Sequence, residues 1–436
     1  MPRSCSGRSV SDTRRPVLFY GDDFTGSVDA LLQFARRGWT GRLFTGLPDA
    51  GGPGSPDALS RAAAEVDVVG VAGISRSLAP DDMDTELRPV FAAFAALDPA
   101  LVQYKACSTA DSAAHVGSLG RVVELAREAF GERPVPMLFA QPDFGRYTVF
   151  GQHFAAEQGV VYRLDRQPTM SRHPSTPMTE ADLARHVGRQ TALPIGAIPL
   201  LSYDGLAELL RSSPDAAVVL DALTDEHLVA VGHALGALPS PVFAIGSGGL
   251  SHGVAAASPG DAPALPTTSS VPGPVLAVSG SRSAQTRRQV DAAAAAGWFV
   301  RALPLEAGAR EATANEVLGA LRSGHSVALT SDDADVGAAG GRPLLPAIAE
   351  AAASLVSTVA RDGAARRVIV CGGDTSSRVT RLLGVEALSI AANPWGNVVL
   401  LRAHAADPAI DGIELLLKGG QVGADSLFTD VAALGR

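Results

Sequence analysis

Asp22 and Asp23 stand side by side in "VLFYGDDFTGSVDALL", between a short apolar run and the start of a helical pattern. Adjacent carboxylates repel each other, so a partner that offsets the repulsion is expected: a metal, a sugar hydroxyl or a cation. A helix needs only one capping residue, and the second acid is surplus to a turn. Further on, "GISRS" (73–77) brings Ser75 and Arg76, "YKACSTADS" (104–112) brings Lys105 and Asp111, and "PDFGRYTVFG" (142–151) brings Arg146. With Thr25, these residues make a surface of acids, cations and hydroxyls. It suits a small polyhydroxy acid, the cations taking its carboxylate and the acids its hydroxyls.

The second half of the chain offers a different chemistry. "VLAVSGSRSAQT" (275–286) carries Ser279, Gly280, Ser281 and Ser283, and "VIVCGGDTSSRVTRLLG" (368–384) carries Gly372, Gly373, Asp374 and Thr375. "LLLKGGQVGADSLF" (415–428) adds Lys418, Gly419, Gly420 and Gly423. Glycines let backbone N–H groups approach closely, and helix N-termini favour negative charge, so these turns read as a nucleotide phosphate site. Of 36 basic residues only Lys105 and Lys418 are lysines. In a chain so biased to arginine, the two mark positions where a compact, titratable charge is needed.

These residues must be positioned by the elements around them. "PVLFYG", "VDVVGVAG", "LVQYKAC" and "PMLFAQPDFG" read as strands, alternating with helical segments such as "MDTELRPVFAAFAAL" and "GSLGRVVELAREAFG". The alternation predicts an α/β fold of two domains, each a mostly parallel sheet flanked by helices. The polar clusters then fall beyond the carboxyl ends of strands, where such sheets bind ligands. Residues 144–180 break the rhythm and read as long functional loops. The Pro/Ala/Ser-rich stretch 255–274 reads as a linker and hinge. The expected organisation is a floppy tail (1–15), a substrate domain (16–254), the linker (255–274) and a nucleotide domain (275–436), with "NVVLLRA" and "IELLLKGG" as strands finishing the last sheet.

Composition narrows the class. With 436 residues, 46% hydrophobic and 19% charged, the chain is globular, and a net charge of −9 argues against nucleic acid or an anionic membrane as partner. No uninterrupted apolar run reaches the roughly 18 residues of a membrane span. Cys5, Cys107 and Cys371 show no paired spacing and fit a reducing cytoplasm. No G-x-x-x-x-G-K-[ST] is present, and the nine histidines show no metal-ligand spacing. His173 reads as a loop residue near substrate. "GSGGL" (246–250) carries only a superficial likeness to a dinucleotide turn, which keeps a nicotinamide-dependent dehydrogenase as a distant alternative.

Taken in order, these segments resemble the four-carbon acid sugar kinase family over residues 16–430. "GDDFTGSVD" resembles its A-D-D-[LF]-T-G-A-x-D opening, "GISRSL" its serine-arginine strand end, "DALTDEHL" an acidic segment and "GSGGL" the close of its first domain. "SGSRSAQTRRQV", "GGDTSSRV", "LGV" and "LKGGQVGADSLF" resemble its nucleotide-side motifs. The resemblance implies a first domain that binds a sugar acid and a second that binds ATP with Mg²⁺. Asp22 and Asp23 would grip substrate hydroxyls, one of them accepting the proton of the attacking hydroxyl, and Asp374 would help hold the metal. One departure stands out. Where the family has K-x-D-S-T-L-R-G, this chain has "KACSTADSAAHVGSLGR": Lys105, Ser108 and Thr109 match, Cys107 replaces the acid, and the arginine is missing. Asp111 is expected to substitute for the lost acid in space. The altered loop points away from threonate, erythronate and 3-oxo-tetronate, towards a branched acid such as 3-oxo-isoapionate. A non-catalytic sugar-acid-binding protein is the alternative from another class. A homo-oligomer is compatible with the sequence.

Overall fold

The computed structural model describes residues 15–48, 56–269, 271–331 and 343–434. The first apolar run forms the strand Val17–Gly21, buried along its whole length, as expected of a strand covered on both faces. It lies inside a parallel array whose order is Gly41–Phe44, Val68–Ala72, Val17–Gly21, Leu101–Lys105, Val242–Gly246, Val135–Leu138, Ala217–Leu220 and Ile195–Ile198. A second parallel array runs Phe299–Ala302, Val327–Thr330, Val275–Ser279, Arg367–Cys371 and Glu414–Lys418.

The two arrays are halves of one 15-stranded sheet. The antiparallel hairpin Val385–Trp395/Val398–Ala405 pairs with Glu414–Lys418 on one side and with Gly41–Phe44 on the other. The strands expected to finish the last sheet therefore lie at its middle and join the domains. Residues 144–180, read as loops, contain the antiparallel sheet Arg146–Val149, Gln152–Glu157 and Val160–Arg163. Residues 255–257 complete the helix Gly248–Ala257. Beyond it the expected linker is tied down, with Gly260 and Ala262 N–H groups donating to Arg37 and Gly38 and the Pro266 carbonyl accepting from Asn393. The helix Leu344–Asp362 is long and apolar enough to cross a membrane by length and composition, but it buries Ile348, Leu355, Val356 and Val359 inside the fold.

Register brings the polar turns together. Gly21, Ala72, Lys105 and Gly246 are aligned partners at the carboxyl ends of their strands, so Asp22, Gly73, Ala106 and Ser247 emerge at one edge. In the other half Ser279, Cys371, Lys418 and Thr330 are aligned in the same way. Both sets of turns open on a shared cleft.

Candidate active site

Asp22 and Asp23 leave the strand in different roles. Asp23 caps the helix Phe24–Ala35, its Oδ1 accepting from the Gly26 N–H at 2.7 Å. Asp22 is only 3% exposed and is held by Arg76 as a two-pronged pair, Nη2 to Oδ1 at 2.6 Å and Nε to Oδ2 at 3.2 Å. Arg76 Nη1 also reaches Asp23 Oδ2 at 2.7 Å. One guanidinium thus offsets the repulsion of two acids. Burial pushes the Asp22 carboxyl above its ordinary range, opposed by Arg76 and reinforced by Asp23.

Lys105 is 3% exposed at the end of its strand, its Nζ donating to the Ala106 carbonyl at 3.0 Å and facing Asp29 Oδ2 at 3.7 Å. Asp29 was not anticipated. It lies four residues after Thr25 on the same helix face, and that spacing was the signal available in the sequence. The loop after Lys105 is fixed from outside by His153, whose Nε2 donates to the Ser108 carbonyl at 2.8 Å while Nδ1 accepts from the Thr148 hydroxyl at 2.9 Å. Burial lowers the His153 pKa to about 4, so the ring is neutral at physiological pH. This histidine was also missed, because nothing local in the sequence ties it to Ser108.

Three expected substrate residues lie elsewhere. Ser75 is fully buried and shares a hydrogen bond with the Tyr104 hydroxyl at 2.8 Å. Asp111 accepts from Thr176 and lies 3.8 Å from His173, so it does not replace the missing acid beside Lys105. Arg146 bonds the carbonyls of Phe144 and Ala156 on its own small sheet. Each carries the right chemistry, but packing turns its side chain to a neighbour and away from the cleft. His173 is drawn into the same Asp111–Thr176 cluster.

On the opposite wall, Ser283 caps the helix Ala284–Ala295 and donates to the Gly420 carbonyl. Ser281 and Ser279 complete that turn, the Ser281 N–H donating to Ser279 Oγ at 3.3 Å. Lys418, 3% exposed, donates to Thr286 Oγ1 at 2.9 Å. Burial lowers its pKa, opposed by neighbouring Cys371. Gly372 adopts φ 109°, a conformation glycine accepts without strain, and starts the helix Gly373–Leu382. A Cβ on Gly280 would lie 2.3 Å from Thr375 Oγ1, so these two turns need glycine there for close packing. Gly423 is bonded through its carbonyl by Gln285 and Gln289, which pins the glycine-rich segment to the helix.

The two walls meet. A cavity of about 320 Å³ is lined by Asp23, Thr25 and Lys105 from one domain and by Gly373, Lys418 and Gly419 from the other. Both lysines of the chain therefore face one space. A neighbouring cavity of about 820 Å³ holds Asp22, Asp23 and Arg76 on one side and Asp374, Ser377 and Arg381 on the other. "GSGGL" instead starts a helix packed in the core: a Cβ on Gly249 would lie 1.9 Å from the Ala140 carbonyl. That glycine serves packing, which removes the basis of the dehydrogenase reading.

Residues 17–254 match a sugar-binding N-terminal domain and residues 276–428 a nucleotide-binding C-terminal domain. The chain is 38% identical to a 3-oxo-isoapionate kinase of Paraburkholderia graminis, over 96% of this chain and 94% of that one. It is 31% identical to a 3-oxo-tetronate kinase of Pseudomonas fluorescens, over 97% of each chain. A Haemophilus influenzae crystal structure shares the fold with a TM-score of 0.77 at 22% identity, covering 96% of this chain and all of the other. With both domain models matched in order along the chain, the protein belongs to the four-carbon acid sugar kinase family.

Proposed function

We propose that the chain transfers the γ-phosphoryl group of ATP to a hydroxyl of a small sugar acid. The observation that carries this reading is the shared cleft, in which Asp23, Arg76 and Lys105 face Lys418 and the Gly373 helix start across one space, with Asp22 on the wall of the adjoining cavity. The substrate hydroxyl oxygen attacks the γ-phosphorus as the bond to the bridging oxygen breaks and ADP leaves. Asp22, whose proton affinity burial raises, receives the hydroxyl proton. Asp23, fixed by its capping bond and by Arg76, orients the substrate. Lys418 and the N-terminus of the helix Gly373–Leu382 hold the phosphates.

A metal ion accompanies ATP in this chemistry, and Mg²⁺ is the natural candidate. Among the described residues no three metal-ligating side chains converge. Mg²⁺ needs only one or two carboxylates beside the phosphates, and Asp374 on the cavity wall supplies one, so the donor set fits. When bound, the ion neutralises charge on the transferring group. The protein works in the cytoplasm, where ATP is available.

The replacement of an acid by Cys107 beside Lys105, with 38% identity to a 3-oxo-isoapionate kinase, supports a branched 3-oxo acid as substrate. The test is ADP release from ATP and Mg²⁺ with a panel of tetronates, 3-oxo-tetronates and 3-oxo-isoapionate. The expected result is the highest kcat/KM with 3-oxo-isoapionate. No ADP with any acid, while ATP still binds, would overturn the kinase reading.

Gly26 offers a local check. A Cβ there would lie 2.5 Å from Asp23 Oδ1 and 3.1 Å from Lys105 Nζ. Gly26→Ala should push the capping carboxylate off its position and lower kcat about ten- to a hundred-fold, because small displacements of reacting groups are costly. Steady-state kinetics checks this, and an unchanged kcat would show that Asp23 needs no such fixing.

A further inference from the structure

The cations expected to take the substrate's carboxylate are already engaged. Three N–H groups of Arg76 are taken by Asp22 and Asp23. Lys105 is buried between the Ala106 carbonyl and Asp29. A sugar acid needs its own counter-charge, and a free guanidinium is the group best shaped for a carboxylate.

The larger cavity contains one. The helix Gly373–Leu382 presents Asp374, Ser377 and Arg381, spaced three and seven residues apart, along one face to that cavity. The Arg381 side chain is exposed there and makes no hydrogen bond or ion pair among the described residues. The only other cation lining that cavity, among the described residues, is Arg76 on the facing wall, three of whose five N–H groups are taken by Asp22 and Asp23. Glu86 and Asp374 also line the space, so it is no general trap for anions. An anion lodged there must sit against a local guanidinium.

Resting on the kinase reading above, we infer that Arg381, a residue of the nucleotide domain, binds the carboxylate of the sugar acid. The substrate then bridges the domains, its hydroxyls on Asp22 and Asp23 and its carboxylate on Arg381. Specificity for an acid over a neutral sugar is thereby supplied by the domain that does not otherwise hold the sugar.

The experiment compares the acid of the panel above with the highest kcat/KM, expected to be 3-oxo-isoapionate, with its carboxamide, which keeps the hydroxyls and loses the charge. Each is assayed by ADP release with the wild type, Arg381→Ala and Arg381→Lys. Arg381→Ala should lower kcat/KM for the acid about ten- to a hundred-fold, the worth of a charge-assisted pair. The amide should change little, the KM for ATP should stay within about two-fold, and Arg381→Lys should recover part of the loss. Thermal melting should be unchanged, since the side chain is exposed and unpaired. Equal losses on acid and amide would overturn the assignment. So would a loss confined to the KM for ATP, which would give Arg381 to the nucleotide phosphates. No ADP from the wild type with any acid of the wider panel would overturn the kinase reading, and this inference with it.

Discussion

Arg76→Met should cost about 3–5 kcal/mol of stability near neutral pH, the usual penalty for stranding one member of a buried ion pair. Asp22, 3% exposed, would lose both of its bonds to the guanidinium and remain beside Asp23. Asp23 is about a third exposed, so its arm of the cluster contributes less. The pH dependence has a definite sign. Burial and Asp23 already raise the Asp22 pKa in the fold, and removing Arg76 removes the main opposing influence. A carboxyl whose folded pKa is raised supports the fold below its unfolded pKa and loses that contribution as pH rises through the folded value. The deficit should therefore be larger at about pH 8 than at about pH 4.5, because the raised pKa lets Asp22 take up a proton more readily as pH falls. Urea unfolding at both pH values measures it. Arg76→Met combined with Asp22→Asn should recover much of the stability, because neither charge is then left alone. Turnover should stay down about a thousand-fold in both variants, since the single one loses the orientation of the acids and the double one loses the proton acceptor as well. A deficit independent of pH, or a double variant no more stable than the single one, would overturn the account of a buried pair.

How much of this could be read in advance depended on how local the cause was. The strand Val17–Gly21, its stop at Gly21 and the acids after it are set by neighbouring residues, and so are the glycine turns at 372 and 419. The direction of a side chain is not local. Asp111 and Arg146 have the same chemistry as Asp22 and Arg76, yet Thr176 and the Phe144 carbonyl claim them, both from the stretch 144–180. The antiparallel sheet within that stretch has short strands interrupted by Gly151 and Gly159, so the sequence alone shows no strand period there. The joining of the domains was equally hidden. Gly41–Phe44 pairs with Val385–Trp395, a contact between distant parts of the chain that leaves no pattern in either segment. The lysines were informative for the opposite reason. Their rarity belongs to the whole composition, and it singled out two residues that folding brings to one cavity.

Lys418 carries the second large prediction, because its burial makes nucleotide binding depend on pH. Its ammonium sits at the end of the strand Glu414–Lys418, bonded to Thr286 Oγ1 at 2.9 Å, with the Thr286 hydroxyl in turn on the Gly420 carbonyl at 2.8 Å. Burial lowers its pKa, so it loses its charge at a lower pH than an exposed lysine would. The fold itself gains as that happens, since a group with a depressed basic pKa is a cost while charged. ATP needs the charge, and its affinity should fall over the same rise in pH. Titration calorimetry with a non-hydrolysable ATP analogue should therefore show affinity weakening as pH rises from neutral towards the ordinary lysine range, with proton uptake on binding where the lysine is partly neutral. Lys418→Met should lower affinity about ten- to a hundred-fold near neutral pH and abolish that pH dependence. Lys418→Arg should not restore it, because a planar guanidinium has no room in a site only 3% exposed and keeps its proton across the range. Cys371, whose thiol burial pushes up to about 11, stays neutral over most of this range and so does not mimic the effect. A pH dependence that survived in Lys418→Met would place the titrating group elsewhere and remove Lys418 from the phosphate site.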